Sequence, residues 1–189
     1  MMRLPTFVVN TSSLDDFISF WSVQYNYAFD DLYDNNIRLN KLEPENLQQL
    51  YFWKNGMRLS SNKEIRVNKI VLHIDVINNL KKHGFDPIIF DQYFSDMTLI
   101  WKIFLIHIIC PDEYPIFDQH VYRAYRFINN LPAEPLPESK DKATIKYDNC
   151  YRPFYQKIQD EATGFSSKKI DEALWAFGKF LSTYPKMMQ

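Results

Sequence analysis

Pro115-Ile116-Phe117-Asp118-Gln119-His120-Val121-Tyr122-Arg123-Ala124-Tyr125-Arg126 puts an acidic residue at a proline-led break between two apolar helical segments. Before it, Leu99 to Ile109 is apolar almost all round. After it, a helix is expected from near Asp118 to Ile128. Aspartate is favoured at such a start because its carboxylate accepts the unpaired N–H groups of the next turn. The order apolar helix, loop, capped helix sets the expectation for the whole chain.

Composition points the same way. The 189 residues are 46% hydrophobic and 16% aromatic, enough to bury a core that offsets the ordering entropy and to exclude a disordered chain. There are only four glycines, at 56, 84, 164 and 178. A β-sandwich or a dinucleotide-binding fold needs more tight turns and phosphate loops than that. The expected fold is all-α: a single domain of about seven or eight helices, with two lobes and a cleft at Asp118 as one form of it.

The apolar run from Trp101 to Cys110 is far shorter than a membrane span and contains Lys102 and His107, so it reads as a buried core helix. Cys110 and Cys150 lack CxxC spacing and read as reduced thiols of a cytoplasmic protein. Met1 to Asn10 is too short and polar for a signal peptide. Net charge is −1, which counts against avid non-specific binding of nucleic acid but leaves room for a local basic face.

Along the chain, Ser12 or Ser13 with Asp15 and Asp16 marks a first helix start. Asp30, Asp31 and Asp34 read as a polar turn. A second helix opens at Pro44-Glu45 and ends at Asn55-Gly56. A third starts at Ser60-Ser61, with Glu64 in a capping-box position, and runs through Leu80 to His83-Gly84. Phe85 to Asp91 reads as a connection, and Ser95 to Ile109 as the fourth helix. Leu131 to Lys142, with Pro132, Pro135 and Pro137, reads as extended surface chain, the core of a Pro-rich connection over 131–147. Helix resumes at about Asp148 or Pro153, and a last helix carries Ile170, Leu174, Phe177 and Leu181 before Pro185 ends it.

Asp118, His120, Val121 and Arg123 together form an Asp-x-His-Val-x-Arg pattern that resembles the helix-hairpin-helix DNA glycosylases, in which that Asp is the catalytic carboxylate. Trp53-Lys54-Asn55-Gly56 and Asp171-Glu172-Ala173-Leu174-Trp175-Ala176-Phe177-Gly178 are similar in style to a divergent, 8-oxoguanine-glycosylase-like bacterial group. The resemblance implies that Asp118 stabilises a sugar cation as a base leaves, or orients the attacking water. It implies DNA or another nucleic acid as partner, and a base flipped from the stack. Arg123, Arg126, Lys102 and His120 are then the candidate nucleic-acid-binding residues, with pairing to carboxylates as the alternative for Arg123 and Arg126.

The pattern also departs from the family. Phe94-Ser95-Asp96-Met97-Thr98-Leu99 has no hairpin glycine, Asp96 repels phosphate, and Leu99 stands near the place of the lysine nucleophile of bifunctional members. Lys102 comes one turn later. There is no four-cysteine cluster. A Schiff-base lyase is therefore not expected, and no cofactor is. The rival reading is a non-catalytic helical interaction module that keeps the scaffold, with Asp118 a plain N-cap.

Lys63, Arg66, Lys69 and His73 lie at helical spacing, either a solvated stripe or a phosphate track. The rings Tyr25, Tyr27, Phe29, Tyr33, Tyr151, Phe154 and Tyr155 either fill helix junctions or stack bases. His73, His83, His107 and His120 are scattered, without metal-ligand spacing.

Overall fold

A computed structural model describes residues 13–183. The readings at Met1 to Asn10, Ser12 and Pro185 lie outside them. Among the described residues the regular structure is entirely helical. The elements are α1 (Leu14–Val23), α2 (Asp30–Ile37), α3 (Pro44–Asn55), α4 (Ser61–Val71), α5 (Ile74–His83), α6 (Pro87–Phe94), α7 (Leu99–Ile109), α8 (Gln119–Ile128), α9 (Lys140–Lys146), α10 (Arg152–Glu161) and α11 (Ser167–Thr183). A π-helical turn at Tyr147–Tyr151 joins α9 to α10, making one continuous rod.

The helices outnumber the seven or eight expected, for identifiable reasons. Asp30 and Asp31 form the acidic first turn of α2, where a turn was expected. The long third helix breaks at Leu72-His73 into α4 and α5, and Ser60, not Ser61, occupies the cap of α4. Asp86 accepts the N–H groups of Ile88 and Ile89, and Pro87 suits the first turn, so α6 opens inside the expected connection. The Pro-rich segment stays non-helical over 131–139, but α9 begins at Lys140.

The π turn has a packing consequence. Tyr147, Tyr151 and Tyr155 are buried at intervals of four residues. An α-helix would rotate such a series progressively off one face, and a locally wider turn reduces that drift.

Two hydrophobic cores share one helix. The first gathers Leu47, Leu50 and Tyr51 of α3, Ile70, Ile77, Phe90 and Phe94 with Phe104, Leu105 and Ile108 of α7. The second gathers Ile18 of α1, Val121 and Tyr122 of α8, the tyrosine series, and Ile170, Leu174 and Leu181 of α11 with Ile103 of α7. Helix α7 lacks a polar stripe because it faces a core on both sides. Trp101, at its start, is only half-buried.

His107 is the one histidine among the described residues that is fully buried in this helix bundle. Its Nδ1 lies 2.7 Å from the Tyr114 carbonyl and its Nε2 lies 2.7 Å from the Tyr33 hydroxyl. The neutral ring satisfies both: Nδ1–H donates to the carbonyl, and Nε2 accepts from the hydroxyl. Burial, only partly opposed by the Tyr114 carbonyl, pushes its pKa down from 6.5 to about 3. The unfolded chain therefore takes up a proton below pH 6.5 that the folded protein refuses. This contribution to stability is complete above pH 6.5 and is lost as pH falls towards 3. It should amount to about 2 kcal/mol between pH 7.5 and pH 5, read as urea midpoints. In His107→Asn the pH 7.5 to pH 5 difference should shrink by that amount; an unchanged difference would mean the ring titrates normally.

Candidate active site

Asp118 precedes α8 in extended backbone and caps it. Its Oδ1 accepts the backbone N–H groups of His120 (2.7 Å) and Val121 (3.2 Å). Its Oδ2 is turned towards Lys54 Nζ, 3.7 Å away. The cap therefore occupies one carboxylate oxygen and holds the other towards the interior. The Asp118 side chain keeps 22% exposure, against 8% for Lys54.

Lys54 comes from the last turn of α3, which Gly56 ends in the left-handed conformation (φ 71°). The Tyr27 ring packs directly over Gly56, and its hydroxyl donates to the Trp53 carbonyl (3.0 Å). Burial lowers the Lys54 pKa, and Asp118 and Asp171 act against that shift. Asp171, on α11, is buried with neither carboxylate oxygen hydrogen-bonded. Burial pushes its pKa well above the usual carboxylate range, with Lys54 opposing and Asp118 reinforcing.

Beside this cluster is a cavity of about 40 Å³, with Trp53, Tyr33, Trp175 and Asp171 among its walls. Asp30 organises one side: it accepts from Tyr25 (2.9 Å), Trp53 Nε1 (3.2 Å) and Lys168 (2.9 Å). The volume has room for roughly three waters, so a base enters only if the aromatic walls part.

Helix α11 delivers Asp171 and Trp175 from one face, as spacing of four dictates. It packs on α1 and α8. Gly178 makes that approach close: a Cβ there would overlap the backbone carbonyl of His120 and lie 3.1 Å from its Cα.

The candidate binding residues fall into two groups. His120 and Arg123 lie next to Asp118. The His120 ring packs edge-on against Trp175 (5.1 Å), and Arg123 donates to the Gly178 carbonyl (2.8 Å) and lies 3.2 Å from His120 Nδ1. Arg126 and Lys102 are engaged elsewhere. Arg126 is buried, donates to the Pro132 carbonyl (2.6 Å) and pairs with Glu134, tying the Pro-rich segment to α8. Lys102 pairs with Asp91 (2.6 Å) across the hairpin formed by α6 and α7.

Lys54, Asp171, Trp53 and Trp175 were not among the site residues expected from sequence. Their two segments were singled out for style alone, and the fold brings both segments to Asp118. Among the described residues no group of three or more His, Cys, Asp or Glu is arranged to hold a metal ion, and no helix is long and apolar enough to cross a membrane. Comparison of the chain with protein-family models, curated proteins and solved structures finds no match.

Proposed function

We propose that this protein is a divergent DNA-glycosylase-like protein that binds nucleic acid in the cytoplasm and excises a base, with Asp118 as the catalytic carboxylate. The observation that carries this reading is the division of labour at Asp118: Oδ1 is spent on the helix cap, while Oδ2 is held free of backbone donors beside Lys54. A carboxylate fixed in that way stabilises positive charge on a departing nucleoside's sugar, or orients the attacking water, without having to reorganise. The fixed arrangement of α6, a four-residue turn, α7 and the capped α8 supports a helix-hairpin-helix scaffold. A flipped base would stack against Trp53 and Trp175 once the cavity opens. His120 and Arg123 orient the rim.

The rival reading, a non-catalytic helical interaction module on the same scaffold, is favoured by the small cavity and by the internal pairing of Arg126 and Lys102. The experiment that separates the two is incubation of the protein with a panel of damaged and undamaged oligonucleotides, with free base read by mass spectrometry. Release of a base from at least one member is expected. A protein that binds none of them and releases nothing is the module.

A further inference from the structure

A second cavity, of about 460 Å³, opens where α4 and the start of α5 meet the α6–α7 hairpin. This is within the range of small-molecule and nucleotide pockets. Arg66 and Lys69 of α4 and His73 form one wall; Tyr93, Asp96 and Trp101 are on the hairpin side. Arg66 and Lys69 are exposed, and among the described residues neither forms an ion pair. Asp96 is the one carboxylate among the lining residues, so the cavity is cationic in a chain whose net charge is −1. His73 packs against Tyr93 (5.2 Å) and Phe94 (5.8 Å), which holds the Tyr93 ring, 43% exposed, at the rim. Trp101 packs on Tyr51 (4.9 Å) and keeps part of its surface open to the cavity.

We infer that this cavity is a binding groove for single-stranded nucleic acid: Arg66 and Lys69 take successive backbone phosphates, and a base stacks on Tyr93 or Trp101. Unpaired cations interleaved with exposed rings are what a sequence-tolerant strand binder requires. The charge here is supplied by side chains of α4, which answers the missing glycines of the hairpin turn: the grip moves from backbone amides to a neighbouring helix. The inference rests on the proposed function for the identity of the polymer, but uses none of the residues around Asp118.

The test is fluorescence anisotropy with a labelled oligothymidylate over a salt series. Arg66→Ala/Lys69→Ala should weaken binding about tenfold and reduce the slope of log K against log salt by about 1.4, two single-strand phosphate contacts. Lys82→Ala/Lys157→Ala, the same charge change at exposed sites elsewhere, should do neither. Tyr93→Ala should weaken oligothymidylate but leave inorganic polyphosphate binding unchanged, separating stacking from charge alone. All these positions are exposed, so each variant should fold. If the two double variants behave alike, or the wild type does not bind oligothymidylate at low salt, the groove is refuted. Failure of base release would leave the groove's binding intact. Failure of the groove would leave Asp118-dependent release measurable at saturating protein.

Discussion

Gly178→Ala should lower the free energy of unfolding by about 3 kcal/mol or more, towards the upper end of overpacking costs. The added methyl would meet the carbonyl carbon and oxygen of His120, not the tip of a flexible side chain. Neither atom can rotate away, so α8 and α11 must separate. Their separation would loosen the shared packing of Val121, Leu174 and Leu181 and pull the Gly178 carbonyl from Arg123. It would also move Asp118, at the start of α8, relative to Asp171 and Trp175 on α11. A urea unfolding curve measures the first effect. A loss below about 1 kcal/mol would mean that the helices do not cross this closely.

Lys54→Met should cost about 3 kcal/mol at pH 8, since removing the cation of a buried pair leaves carboxylates without compensation. The substitution keeps the volume of the side chain, so packing against Phe104 is not the main change. The pH dependence carries the signature. Lys54 opposes the upward shift that burial imposes on Asp171, so without it the folded state favours the protonated Asp171 more strongly. The penalty should then be small near pH 4 and grow as pH rises towards 8. Adding Asp171→Asn should recover part of the loss at pH 8 but little at pH 4, a coupling that a double-mutant cycle reads directly. A pH-independent penalty would show that Lys54 acts by packing rather than by charge.

What could be read from the sequence was local. Asp118 announced itself as a cap, Gly56 as a helix end, and the unbroken apolarity of α7 as a buried core helix, because each depends on neighbours within a turn or two. The break at Leu72-His73 was not legible: neither residue is a glycine or a proline, and the apolar period continues across it. The start of α6 falls inside the connection expected from Phe85 to Asp91, although Asp86 as a cap makes Pro87 a first-turn proline. The partnership of Lys54 with Asp118 depends on how α3 meets α8, and no local pattern states that. The same holds for Asp171, whose spacing to Trp175 placed both on one face of α11 without saying what they face. Arg126 was a candidate for holding a phosphate or for pairing with a carboxylate; that it pairs, and with Glu134, follows from the course of the Pro-rich segment.

The central claim is that Asp118 is a catalytic carboxylate and not only a helix cap, and asparagine at that position separates the two roles. Asparagine caps helices about as well as aspartate, and Asp171 remains beside Lys54 as a second partner, so Asp118→Asn should stay folded with a smaller loss of stability than Lys54→Met. It lacks the charge that would stabilise a sugar cation, so single-turnover base release should fall about a thousandfold. Nucleic-acid binding should persist or tighten, because a negative charge facing phosphates is gone. The measurement is the single-turnover rate of base release, wild type beside Asp118→Asn, on an oligonucleotide that the wild type processes. The account predicts release by the wild type and almost none by the folded variant. Equal rates, or no release by the wild type from any oligonucleotide, would contradict it and leave Asp118 as the cap of α8.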